Sequence, residues 1–196
     1  MTGPFRNCGY CALRSLPNAV VVMLLLLVTA SSLLAQDSPS APATGPVIEG
    51  MGPYYAIPDS FNLQPGIHYR AVMDVAEGPD DPASLNRSIE SAARFLNMHA
   101  ASGIAASDME LALVLHGGAA KAALNNAAYK QRFQTDNPND ELLRALTGAG
   151  VKIYLCGQSA SFGGFKADEI HPSITMALSA MTVLTRLQTE GWALLP

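Results

Sequence analysis

Among the side chains able to do covalent chemistry near neutral pH, Cys156 has the most informative setting. It follows the short apolar run Val151–Leu155 (VKIYL) and opens the tetrapeptide Cys156-Gly157-Gln158-Ser159. A thiol is a nucleophile only as its thiolate, so it needs backbone N–H groups or a nearby cation to lower its pKa. A strand end followed by glycine supplies such N–H groups, because glycine lets the backbone turn tightly. Lys121, Lys166 and His116 are candidate cationic or hydrogen-bonding neighbours. The competing reading is a small buried residue, as unpaired cysteines often are, and residue type alone leaves both open. His116 closes a second apolar run, Glu110–His116 (ELALVLH), and is followed by Gly117-Gly118. It is the candidate acid–base partner of Cys156, set against a histidine that merely ends a core strand. Gly117, Gly118, Gly157, Gln158 and Ser159 are the candidate binding residues around the pair.

Other chemistries find little support. The chain has neither G-x-x-x-x-G-K-[ST] nor G-x-S-x-G, so a phosphate-cradling loop and a serine nucleophile elbow are not indicated. His68 and His99 are isolated, and no histidine pair has metal-ligand spacing, so neither metal nor cofactor is expected. Asp168-Glu169 reads as an acidic pair favoured by a helix N-terminus, and His171-Pro172 as the entry to the last helix. The 196 residues carry a formal net charge of −4, and the twelve Lys and Arg residues are scattered. Nucleic acid, which needs a clustered basic footprint, is not an expected partner.

The elements that must position Cys156 and His116 start well into the chain. Residues 1–35 have a basic start (Arg6, Arg14), an uncharged run Ala19–Val28 and small residues before Gln36, the layout of a secretory signal peptide. The apolar run is short for a membrane span, so cleavage after Ala35, no stable span afterwards, and a periplasmic or secreted protein are expected. Cys8 and Cys11 lie in that segment, which leaves Cys156 as the one thiol of the mature chain and permits no intrachain disulfide. Residues 36–66 are rich in Pro, Ser and Gly and read as a flexible or irregular segment.

From residue 67 to 196 the pattern is that of one α/β domain. His68–Val75 and Glu110–His116 read as strands, Ala83–Ala101 as an amphipathic helix entered at Asp81-Pro82, and Lys121–Phe133 as a second helix. Asn139 is the expected cap of a helix Asp140–Leu146. A strand Val151–Leu155, a long helix Ser173–Thr189 and a short strand Gly191–Leu195 follow. Strands alternating with helices imply a mostly parallel sheet flanked by helices on both faces, with ligands at the carboxyl ends of the strands.

The run Val151–Ser159, the later Glu169-Ile170-His171-Pro172, the closing Gln188–Ala193 and His116-Gly117-Gly118 together resemble the DsrE/DsrF-like (YchN-like) family over residues 68–195. The resemblance implies a three-layer α/β fold and a homo-oligomer, typically a trimer or hexamer. It also implies a cysteine near a subunit interface that carries sulfur as a persulfide. On that basis the expected function is an exported thiol protein that accepts, holds or transfers sulfane sulfur on Cys156, with a sulfur donor and acceptor as partners. The alternative is a non-enzymatic binding module in which Cys156 is structural, and whether the protein is an enzyme stays open.

Overall fold

The alternation read in His68–Val75 appears as β1, Tyr69–Val75, whose central residues are buried. The computed structural model describes residues 41–58, 63 and 66–195. The expected signal peptide, with Cys8 and Cys11, lies outside the described residues. Among the described residues, no helix is long and apolar enough to cross a membrane.

The near-continuous apolar run forms β2, Met109–Leu115, buried at every position but Glu110, as suits a strand covered on both faces. The other strands are β3 (Lys152–Cys156), β4 (Thr175–Ala177) and β5 (Ala193–Leu195). All pair in parallel in the order β4-β3-β2-β1-β5.

Helix α1, Arg87–Ala101, starts later than expected. Asn86 caps it by accepting from the N–H groups of Ser88 and Ile89, while Asp81 closes a turn by accepting from Ala83 N–H and the Ser84 hydroxyl. Two Asx-type acceptors lie within six residues, and the later one wins because its turn delivers Ile89, Ala92, Ala93 and Leu96 to the sheet. The expected helix Lys121–Phe133 is shorter for a similar reason. Gly117–Ala123 winds as a 3-10 segment, and Asn125 then caps α2, Asn126–Phe133. Asn139 stands before α3, Asp140–Gly148, but its side chain does not cap it. It accepts instead from Asn86 N–H and donates to Asn137 Oδ1, tying two loops together in the interior. Residues Gly157–Phe162 form α4.

The largest departure concerns the expected helix Ser173–Thr189. Its first part is the strand β4, in register with β3 from Tyr154↔Thr175 to Cys156↔Ala177. Only Ala180–Thr189 is helical, as α5, capped by Ser179, whose hydroxyl accepts from Thr182 N–H. A three-residue strand is too short to show a period, whereas hydrogen bonding to the open edge of β3 is a tertiary gain that local propensity does not report. His171-Pro172 therefore precedes a strand and does not open a helix. Asp168-Glu169 lies in a 3-10 turn, Ala167–Glu169, where the Glu169 carboxylate accepts from Lys166 N–H and from Arg132.

The layers are unequal. One face of the sheet is covered by α1, α3 and Ala160 of α4. The other carries Val72, Ala112, Val114 and Cys156 under Ala180, Val183 and Leu187 of α5, with Trp192 at its end. Because α5 links the carboxyl end of β4 to the amino end of β5, at opposite edges, it must cross that face diagonally. Two corners of the face stay open. One holds Arg70, Lys152, Tyr154 and Trp192. The other lies at the carboxyl ends of β1, β2 and β3.

The segment 41–58 lies on α1. Ala43 and Tyr54 form an antiparallel bridge, and the fully buried Asn97 accepts from Val47 and Ile48 N–H while donating to the Ile48 and Met51 carbonyls.

Candidate functional site

Side chains alternate along a strand, so residues two apart share a face. Asp74 follows Val72 on β1, His116 follows Val114 just past β2, and Cys156 follows Tyr154 at the end of β3. All three fall on the face that α5 covers. With Gln158, Ser179, Ala180, Met181 and Leu184 they line a cavity of about 250 Å³ in the open corner.

Cys156 is 5% exposed and occupies the N-cap position of α4. Burial pushes its thiol up, but hydrogen bonds from the Ser159 hydroxyl and from the N–H groups of Ser159, Ala180 and Gln158 outweigh this. The thiol is held below its ordinary value. Gln158 and Ser159 belong to the first turn of α4, and Ala180 is the first residue of α5. The sulfur thus sits where two helices present their unpaired N–H groups, the place in a fold that best favours a negative charge.

Ser159 joins the two sequence motifs. Its Oγ accepts from Gly117 N–H at 3.1 Å, which leaves the hydroxyl proton for the sulfur. Gly117 has φ of 50°, and a Cβ there would meet Ala76 O at 2.9 Å. Gly157 is needed for close approach, since a Cβ would stand 2.6 Å from Ala177 O, where β4 leads to α5. Gln158 Nε2 donates to Leu178 O at 3.2 Å and steadies the same crossing. Gly118 packs against Gly78 and does not line the cavity.

His116 has an extended backbone and donates its N–H to Val75 O. Its ring lies 2.6 Å, Nε2 to Oδ1, from Asp74. Asp74 is absent from the sequence reading. Its only sequence signal is its position two residues after Val72 at the end of a strand, and an acidic residue there is ordinarily read as the polar end of a strand. The expected cations are not brought in: Lys121 donates to Pro79 O, and neither Lys121 nor Lys166 lines the cavity. His99 bonds Phe95 O within α1, and His68 lies 3.9 Å from Asp108. His171 is buried, with Nε2 3.4 Å from Asp140. Among the described residues, no group of three His, Cys, Asp or Glu side chains is arranged to hold a metal ion.

The arrangement can therefore stabilise a thiolate in a small, mostly apolar cavity beside an imidazole–carboxylate pair. No curated protein matches the chain. Among solved structures, a protein of unknown function, MTH1491 from Methanobacterium thermoautotrophicum, is 19% identical with a TM-score of 0.50, covering 65% of this chain and 97% of that one. The ychN protein from E. coli is 20% identical with a TM-score of 0.44, covering 64% and 97%. Similarity at this level to MTH1491 speaks for a shared fold. The model of the DsrE/DsrF-like family matches residues 70–196, nearly the whole of the described α/β domain, and the chain belongs to that family.

Proposed function

We propose that this protein is an exported thiol protein that accepts sulfane sulfur on Cys156 and passes it on as a persulfide. The observation that carries the reading is the set of four hydrogen bonds that lowers the thiol against the effect of burial. In the reaction the Cys156 thiolate attacks the outer sulfur of R–S–SH. The new S–S bond forms on Cys156, the old one breaks, and its electron pair leaves on R–S⁻, which takes up a proton. An acceptor thiolate attacking the outer sulfur of the Cys156 persulfide completes the transfer. Membership of a family linked to sulfur relay supports the same chemistry.

The export half of the reading, a location in the periplasm or outside the cell, is supported by the order of residues 1–35. Assembly into a homo-oligomer, a trimer or hexamer, belongs to the proposal too. It is supported by large apolar side chains left in solvent on the elements that meet at Cys156: Phe162 at 97%, Leu178 at 72% and Met181 at 74% exposure. Clustered exposed apolar groups mark interaction surfaces.

The deciding experiment is intact mass of the mature protein and of Cys156→Ser after incubation with polysulfide. Reductant-reversible addition of whole sulfur atoms to the wild type alone is expected. No addition to either, while a control thiol is modified, would turn the interpretation to the second reading, a binding module with a structural cysteine. The near-complete burial of Cys156 is the observation favouring that alternative.

A further inference from the structure

The pair at the carboxyl ends of β1 and β2 says which kind of sulfur donor the cavity is built for. Asp74 Oδ1 and His116 Nε2 are 2.6 Å apart. With the carboxylate ionised, Nε2 carries the proton and donates it, so the ring is fixed in one tautomer. Nδ1 is then the nitrogen left to exchange a proton with a group in the cavity. The titratable groups lining that cavity are Asp74 from β1, His116 from just past β2 and Cys156 from β3, while α5 contributes only Ala180, Met181 and Leu184 and its cap Ser179. No lysine or arginine lines the cavity, so the one cation available to Asp74 there is the imidazolium it would steady.

We propose that Asp74 is a positioning residue that holds His116 as the proton shuttle of sulfur transfer, and that the site is thereby suited to donors with a basic leaving thiolate, such as alkyl persulfides. The inference rests on the sulfur-acceptor reading for its substrate, though not for the geometry of the pair. His116 Nδ1 takes the Cys156 proton, the thiolate attacks the outer sulfur of R–S–SH, and the same proton goes to the departing R–S⁻. The sum is Cys156–SH and R–S–SH giving Cys156–S–SH and R–SH, with no net oxidation. An alkyl thiolate is a poor leaving group near neutral pH and gains from that proton. A thiosulfonate releases a sulfinate, an anion that needs none. The small volume of the cavity and its apolar α5 wall suit a compact donor of low charge.

The test compares initial rates of sulfur loading from cysteine persulfide and from benzenethiosulfonate in the wild type, Asp74→Asn, Asp74→Glu and His116→Ala. With the alkyl persulfide, His116→Ala is expected to lose about a hundredfold, the usual worth of a positioned acid–base group. Asp74→Asn is expected to lose at least about tenfold, because an amide can instead donate to Nε2 and select the other tautomer. With the thiosulfonate both variants are expected to lose several-fold less than with the alkyl persulfide, since only removal of the Cys156 proton is then affected and no leaving-group proton is required. Asp74→Glu is expected to recover most of the alkyl rate, and Asp74→Asn combined with His116→Ala to be no slower than His116→Ala alone.

Equal losses with both donors would show a merely structural Asp74 and overturn the proposal while leaving sulfur acceptance standing. If the wild type loads from neither donor, the sulfur-acceptor reading fails. The pair is then judged by Cys156 exchange with an alkyl disulfide against an activated pyridyl disulfide. A variant loss larger with the alkyl disulfide upholds the shuttle, and an equal loss with both overturns it.

Discussion

Replacing Ser159 by alanine removes one of the four donors to the Cys156 sulfur and leaves the fold little disturbed. The Gly117 N–H it would abandon is exposed and can turn to water. A hydrogen bond to a charged group contributes about 1.5–3 kcal/mol, and one pKa unit corresponds to about 1.4 kcal/mol. The midpoint of the Cys156 thiol is therefore expected to rise by about one to two pH units. The assay is the rate of alkylation against pH, read from residues 36–196, in which Cys156 is the single thiol. A more basic thiolate is also a better nucleophile, with a Brønsted slope of about 0.4–0.5, so the rate at neutral pH should fall by only about three- to tenfold. Ser159→Thr keeps the hydroxyl and should titrate like the wild type. Coincident midpoints in Ser159→Ala and wild type would refute the claim that these donors hold the Cys156 thiol below its ordinary value.

Three further outcomes follow from the fold. Burial pushes the His171 imidazole below its usual value, Asp140 pulls it up and Arg144 pushes it down again. The folded state thus binds a proton less readily than the unfolded chain. Stability should fall as pH drops through the ordinary imidazole range toward the lowered folded value, and urea midpoints should show this slope flattened in His171→Gln. Gly157→Ala would set a Cβ 2.6 Å from Ala177 O; a loss of about 1–3 kcal/mol in chemical denaturation is expected, as for other overpacked sites. Asn97→Ala removes the acceptor of the Val47 and Ile48 N–H groups and a donor to two carbonyls. The variant should lose about 2–4 kcal/mol, and limited proteolysis should cut first within residues 41–58.

What the sequence made legible was the long-range pattern of burial. The strands β1 and β2 carry their alternation or continuous apolarity in the residues themselves, and the glycines after His116 and Cys156 mark strand ends that the parallel sheet places side by side. The features that escaped it depend on partners distant in sequence. Asn139 is the expected cap of the helix from Asp140, yet its side chain accepts from Asn86 N–H and donates to Asn137 Oδ1, fifty-three and two positions away. Asp74 and His116 are separated by forty-two positions. Nothing local pairs them until β1 and β2 are aligned with Asp74 opposite Val114.

The misreading of residues 173–189 as one helix touches the candidate site most directly. A helix beginning at Ser173 would present its N-terminal N–H groups seven residues too early, away from Cys156. With Thr175–Ala177 hydrogen-bonded to β3 and Cys156 opposite Ala177, the chain is delivered to the sulfur before it starts to wind, and Ala180 N–H is the first donor it presents. The same crossing obliges α5 to run diagonally and leaves Asp74 and His116 uncovered in the corner. Thiolate stabilisation and access for a donor thus arise from one short edge strand. A substitution that frees β4 from β3 should raise the thiol's midpoint and alter the cavity together, even if every residue lining the cavity is unchanged.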